Sequence, residues 1–579
     1  MYHFYGLTAM KPHTTIFSLF RNTIAGTTTR RSTVVFSLIA IILLGVAPAL
    51  AQVESFSPVF TVNTEGNIYI IGNVNVTCAS SGTCTAAQGG AVYQDNDFNS
   101  VYVDVDGDAS TTNSSTANFT KSSTGSVLFA ALFWGGVAPS SGSLTSVKFA
   151  VPGGSYQTVT GSVNSTSYGY RAYADVTSLV QAGAGTGTYK VGNVPLKTGS
   201  TNQFGGWALV IVIRDTTDLF RNLKVYKGFD QVESGHNIDL SISGFKTPPA
   251  GPINTQFGFV VFDGDKGDNS ETTYFRDSLK LNTTYLYDAV NPINDIFNST
   301  ISRLGTNLSD KNPNYINTLG LDIDVIDASN ILNHSDTSCV FRMTTGGETY
   351  IPFCITSSIQ LYSPIMTIDK IAHDENAGFL EPSDTILYTI QVDNSGYDAA
   401  TYLTLYDTIP QHTFYVPGTI SVTKGANLGA KTDALGDDQA DYDSTANRIV
   451  IRLAAGANNV NGGTMAPSET TMVQFKVRID PNTLDSTYVN NRAYLNYNSL
   501  QFGSAFADAG IPALVIVYHP VDLLLTQTAT TTTPEIYHRD TIITTIKNLG
   551  TYDADSVSVE NTFLSGLSIW TVRCARNIL

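Results

Sequence analysis

The chain has 579 residues, enough for about four domains of ordinary size. Lys and Arg number 32 against 49 acids, giving a net charge of −17, and only 14% of residues are charged. That balance excludes a nucleic-acid binder, which needs a basic footprint, and disfavours adhesion to anionic membranes. With 48 Gly, 29 Tyr, 28 Phe and abundant Thr, Val and Ile, the composition reads as strands rather than helices. The fold class expected is all-β, as tandem β-sandwiches.

Residues 1–51 read as a leader and signal peptide. Arg30-Arg31 precedes an apolar run over 34–46, and Ala49-Leu50-Ala51 places small residues for cleavage before Gln52. The run is short for a spanning helix, and no later stretch is long and apolar enough to span a bilayer. The expected location is therefore secreted or cell surface, with no membrane span after signal cleavage.

Residues 52–218 are expected to form an N-terminal sandwich, jelly-roll-like in character, and 219–364 a second. In the first, 127–134 and 205–213 are nearly continuous apolar runs, as for strands buried on both faces. Trp134 and Trp207 lie in those runs and read as core. Residues 176–180 read as a short helix with Asp175 near its N-cap. Residues 168–173 carry three Tyr that offer either a half-buried strand or a sugar-stacking face. In the second, strands are expected over 223–229, 238–245, 257–262 and 318–326.

In an exported protein, cysteines read as disulfides. Cys78 and Cys84 lie close together in a Gly/Ser/Thr loop. Cys339 and Cys354 flank Gly346-Gly347, and a two-residue turn there would set them opposite one another in a hairpin. Pro352 is the irregularity in that arrangement, since it cannot donate to a ladder. Cys574 is left over.

Two acidic loops offer oxygen ligands for Ca²⁺. Asp104, Asp106 and Asp108 alternate around Gly107, and Asp263, Asp265, Asp268 and Glu271 crowd one Gly-rich loop. Solvated turns favour the same residue types.

Residues 365–518 and 519–579 form an internal repeat. Asp384-Thr-Ile, a polar–apolar alternation, Asn394-x-Gly396 and Tyr397-Asp-Ala399 return as Asp540-Thr-Ile, Asn548-x-Gly550 and Tyr552-Asp-Ala554. The period is roughly 155 residues, longer than a solenoid repeat, so each copy should own a core. The second copy stops after its first half and is expected to be truncated, unable to bury its apolar face alone.

The first copy resembles the repeat called domain of unknown function eleven (DUF11) through Asp369-Lys370, the 385–396 segment, Tyr406-Asp407-Thr-Ile-Pro410 and Asn490-Asn491-Arg-Ala493. The upstream half looks like the adhesin-like region that often precedes such repeats, through residues 205–210, 221–229, 263–265 and 317–324. The resemblance implies immunoglobulin-like sandwiches in a surface or secreted stalk, with no known activity. Some Gram-positive pilin-type sandwiches also join a first-strand Lys to a last-strand Asn by a self-formed isopeptide assisted by a buried acid. Lys370, Asp407 and either Asn490 or Asn491 are the corresponding residues here.

Enzyme chemistry has little support. The eight His are scattered, no nucleophile elbow appears, and no phosphate-binding Gly loop opens a helix. The sequence thus reads as a non-catalytic, exported structural or adhesin-like protein meeting an unidentified extracellular protein or glycan. The alternative is a Ca²⁺-dependent glycan-binding module.

Overall fold

The long strand Glu54–Val74 is shared by two layers of the N-terminal half. A computed structural model describes residues 54–267, 277–533, 535, 538–550 and 552–562. Up to Glu65 this strand pairs with Phe220–Phe229, and from Gly66 onward it pairs with Gly205–Arg214. Gly66 is the corner: its φ is +141°, and a Cβ there would stand 2.0 Å from the Ile213 carbonyl oxygen. Only glycine tolerates both the conformation and the approach.

Beyond the corner the strands belong to one eleven-stranded sheet that packs its two halves against each other. One half holds Leu321–Asp327, Thr255–Phe262, Ile351–Gln360 and Phe220–Phe229. The other holds Gly205–Arg214, Ser126–Gly136, Tyr170–Asp175 and Ser162–Ser165. Between them lies a core that includes Phe133, Val210, Phe262 and Phe353. A five-stranded sheet containing Ser114–Phe119, Ser146–Ala150 and Gly187–Gly192 covers the outside of the second half, burying Trp134, Trp207, Phe149 and Tyr189. A four-stranded sheet of Ile238–Ser243, Ser338–Thr344, Ser278–Leu281 and Thr284–Leu286 covers the first half, burying Phe257, Phe259, Phe341 and Ile355.

The parts expected as sandwiches over 52–218 and 219–364 stack face to face and share a strand. The continuous apolar runs are the cause. A strand apolar on both faces needs a layer on each side, and Ser126–Gly136 and Gly205–Arg214 are buried almost throughout. The short helix Thr177–Ala182 starts one residue later than expected, with Val176 at the cap, while Asp175 still accepts a hydrogen bond from the Thr177 amide at 2.9 Å.

Residues 366–517 form a separate sandwich with its own core. One sheet contains Met366–Asp374, Thr385–Asn394, Thr470–Ile479 and Ser421–Lys424. The other contains Arg448–Arg452, Ala400–Thr408, Ala493–Ser499 and Ala505–Ala509, and Thr487–Asn491 pairs with Ala513–Val517. Phe502 and Phe506 of this sandwich reach Phe220 of the N-terminal half, with ring centroids 6.0 and 5.0 Å away.

The second copy shows Leu523–Ala529 paired with Ile542–Asn548, with every residue exposed or half-buried. Its turn repeats the first copy in detail. The Asn394 side chain accepts from Gly396 N and donates to Asp398 O, and Asn548 does the same with Gly550 N and Tyr552 O. Among the described residues no helix is long and apolar enough to cross a membrane. The expected signal segment and Cys574 lie outside the described residues.

Candidate functional site

Three strands of the 366–517 sandwich each bury one polar residue. Met366–Asp374 buries Met366, Ile368 and Lys370 in strict alternation, with Ile371 turned out and 59% exposed. Ala400–Thr408 buries Leu403, Leu405 and Asp407, and Thr487–Asn491 buries Val489 and Asn491. Strand period two fixes these directions, and every other buried residue on the three strands is apolar. Asn491, not Asn490, is therefore the inward asparagine.

The three residues meet in one pocket. The side chains of Lys370 and Asp407 are both fully buried, and the Lys370 ammonium donates directly to Asp407 Oδ2. Lys370 Nζ also lies 4.3 Å from the Tyr388 ring centroid and 5.2 Å from that of Phe475. Asp407 pairs with Ala493 across the neighbouring strand, two residues beyond Asn491. The Asn491 side chain lies close to both Asp407 and Tyr388. Yet neither Nδ2 nor Oδ1 of Asn491 completes a hydrogen bond, and Asp407 Oδ1 and the Tyr388 hydroxyl are also left without one. A buried polar group without a partner costs about 1–3 kcal/mol.

Electrostatics bring the pair toward neutrality. Burial pushes the Lys370 ammonium down to about 8, against the opposing pull of Asp407. Burial pushes the Asp407 carboxyl up to about 6, against Lys370. Both shifts ease proton transfer from nitrogen to oxygen, leaving a free amine beside a carboxamide.

The other expected sites fare differently. Cys78 and Cys84 form a disulfide with Cα atoms 5.8 Å apart, and a short helix, Gly82–Gln88, closes the loop, capped by Ser81 Oγ accepting from Cys84 N at 3.0 Å. Cys339 and Cys354 are not bonded; both are free and buried. The hairpin expected around Gly346-Gly347 does not form. Cys339 lies opposite Ile242 in the four-stranded sheet, and Cys354 lies opposite Lys227 in the eleven-stranded sheet. The chain crosses between layers there, with Tyr350 buried and the ladder shifted around Pro352.

The carboxylates of Asp104, Asp106 and Asp108 already have partners in the protein: Asp104 accepts from Ser114 Oγ, Asp106 from Tyr156 OH and Asp108 from Ser110 N. Asp263 sits at φ +65° and accepts from Asn96 Nδ2 at 3.0 Å. Asp265 offers its backbone N–H to Glu348 Oε1 at 2.7 Å. Asp268 and Glu271 lie outside the described residues. Tyr168 is exposed but Tyr170 is fully buried, so the three tyrosines present no shared stacking face.

No family model matches the chain, and no curated protein does. Solved structures do. The chain is similar to domains D2 and D3 of the major pilin SpaD from Corynebacterium diphtheriae at 14% identity and TM-score 0.20, covering 28% of this chain and 54% of that one. It is also similar to the N-terminal domain of the Streptococcus gordonii adhesin Sgo0707 at 10% identity and TM-score 0.21, covering 81% and 95%. A third similar structure is AvmM, which catalyses macrocyclization in alchivemycin A biosynthesis, at 9% identity and TM-score 0.18, covering 26% and 87%.

Proposed function

We propose that this chain is an exported, non-catalytic structural protein of the cell surface, and that its 366–517 sandwich is a DUF11-type stalk bead locked by an isopeptide bond between Lys370 and Asn491. The observation that carries this reading is the Lys370–Asp407–Asn491 pocket, in which a lysine, an acid and an unsatisfied carboxamide are buried together. Lys370 hands a proton to Asp407 and its neutral Nζ attacks Asn491 Cγ. The protonated Asp407 supports the carboxamide oxygen as negative charge develops and then returns a proton to the leaving nitrogen. One C–N bond forms, one breaks, and ammonia leaves. Of the three ammonium protons, one stays on the new amide, one departs with ammonia and one remains on Asp407. Nothing is oxidised or reduced, and no cofactor enters. The rings of Tyr388 and Phe475 keep water from competing.

The bond ties the first strand of the bead to its last strand pair, so a pulling force is carried by covalent bonds rather than by the ladder. Peptide mapping of the purified full chain by mass spectrometry tests the reading. The expected product is a branched peptide joining Lys370 to Asn491, about 17 Da lighter than the sum of its two arms, with no trypsin cleavage after Lys370. Recovery of both arms as separate linear peptides with free Lys370 would refute it.

A further inference from the structure

The Asn-x-Gly turn of both repeat copies keeps a glycine that its own geometry does not call for. Neither Gly396 nor Gly550 adopts a left-handed φ, so the turn by itself admits an alanine at either place. What excludes one is the chain that leads into the bead. A Cβ on Gly396 would stand 2.4 Å from Ile365 N, 2.4 Å from Ser363 O and 2.8 Å from the Pro364 carbonyl carbon. A Cβ on Gly550 would stand 2.7 Å from Asp522 N, 2.8 Å from Pro520 O and 3.1 Å from Val521 Cα. All of these neighbours are backbone, and in each copy they belong to the three residues just before the first strand, which opens at Met366 or Leu523.

Hydrogen bonds hold the same contact. The Ser395 amide donates to Ile365 O at 2.9 Å, and at the matching place the Leu549 amide donates to Asp522 O at 2.6 Å. The Ser395 hydroxyl adds a second bond to Ile365 O at 3.2 Å. Asn394 Oδ1 accepts from Gly396 N and also from Ile365 N at 3.3 Å. Asn394 is buried and its Nδ2 donates to Met465 O at 3.1 Å, which fastens the turn to the body of the bead. The ladder that ends with Met366 opposite Asn394 is thereby extended one residue into the linker.

The upstream end of each linker is anchored on what precedes it. Leu361 N donates to Phe220 O of the N-terminal half at 2.9 Å. Tyr362, Ser363 and Pro364 are all that lies between that anchor and Ile365. The proline ring fixes one of their torsions, and Tyr362 OH donates to Gln501 Oε1 of the bead at 2.9 Å. At the second joint, Tyr518 N donates to Leu380 O at 2.8 Å and His519 N to Asp485 Oδ1 at 2.8 Å, both on the 366–517 sandwich. Pro520 and Val521 then lead to Asp522, and the His519 ring stacks on Tyr552 of the second copy with centroids 4.1 Å apart.

We infer that the Asn-x-Gly turn is a linker clamp, which fixes the direction in which each bead leaves the domain before it and makes consecutive domains move together. Relative motion is the default for domains joined by a short linker with few contacts across it. The two joints use different upstream anchors, yet they share the glycine, its contacts with the linker backbone and the amide bond from the residue before it. The clamp does not rest on the Lys370–Asn491 bond.

Hydrogen–deuterium exchange and small-angle X-ray scattering of the full chain test it, on the wild type, Gly396→Ala, Gly550→Ala and Lys370→Met. Either alanine forces the linker backbone away from the turn. Exchange at Ile365 and Ser395 in Gly396→Ala, and at Leu549 in Gly550→Ala, should quicken at least about tenfold, as for a local opening that has lost a hydrogen bond. Thr385–Asn394 and Thr470–Ile479 should stay protected, and the scattering should change from one rigid arrangement to a spread of arrangements. Lys370→Met should keep wild-type exchange at Ile365 and Ser395, which separates the clamp from the crosslink. Wild-type exchange at these amides with unchanged scattering in both glycine variants would overturn the inference. Should Gly396→Ala disturb the strands of its own bead, Gly550→Ala decides: wild-type exchange at Leu549 and unchanged scattering there would overturn the inference as well.

Discussion

Replacing Asn491 by leucine separates a crosslinked bead from one merely packed. Leucine repeats the branched skeleton of asparagine, with two somewhat larger methyl groups, and belongs in the apolar surroundings of this position, beside Val489 and Ala493. In a bead without the bond, the change removes two buried polar atoms that have no partners. That should leave stability within about 1 kcal/mol of the wild type, or raise it. In a bead with the bond, the change removes a covalent closure between positions 370 and 491, a loop of 491 − 370 = 121 residues. The chain-entropy relation used for disulfides assigns such a loop about 5 kcal/mol. For a domain of this size that corresponds to a fall in Tm of about 10–20 °C. Differential scanning calorimetry of the full chain, with Lys370→Met as a parallel variant, reads the result. A bead transition in Asn491→Leu that melts at or above the wild-type temperature would refute the crosslink argument, whatever the pocket looks like.

Asp407→Asn should leave Lys370 and Asn491 unjoined on the time scale of expression, since losing a positioned acid typically slows such a step by about 10²–10⁴-fold, and intact-mass measurement would show the ammonia retained. Cys339 and Cys354 should resist iodoacetamide in the native chain and react on unfolding. Burial pushes both thiols up, Cys339 to about 12, so little thiolate is exposed; their recovery as a disulfide would contradict the layered arrangement. Burial first, then the nearby charge of Asp508, raises Glu65 to about 7 although Arg214 opposes this. The folded chain therefore holds a proton there that the unfolded chain has released. Its stabilising contribution is full below about 4.5 and is lost as pH rises through about 7. Glu65→Gln should flatten that part of the stability–pH profile by on the order of 1 kcal/mol, after discounting for the half-exposed side chain; an unchanged profile would refute it.

The residues of the candidate crosslink were named in the sequence through the resemblance to pilin-type sandwiches, and the period of two in a strand adds which way they face. Once 385–392 reads as an alternating strand and Met366 opens its partner, Lys370 falls on the same face as Ile368, and a charged residue on an apolar face is conspicuous. What the sequence left open was the choice between Asn490 and Asn491, which depends on register, and the company of Tyr388 and Phe475, which come from two other strands. The 263–271 loop stood out through its density of acids, but Asp277, Asp322 and Glu348 are isolated in sequence and are buried at one end of the N-terminal half only because strand ends align there.

The cysteines show the same division. Cys78 and Cys84 are six residues apart, and so short a loop brings them together locally. Cys339 and Cys354 were equally plausible partners by spacing, yet the chain between them changes layers instead of turning back. The sequence by itself determined the strands, their inward faces, the repeat and its Asn-x-Gly turn, because each depends on neighbours within a few residues. The tertiary structure alone decided that two N-terminal sandwiches stack through a third core, that one strand bends at Gly66 to serve both layers, and which buried charges share a pocket. Those outcomes depend on which apolar face finds which partner, and alternation within a strand says that a face is buried without saying against what.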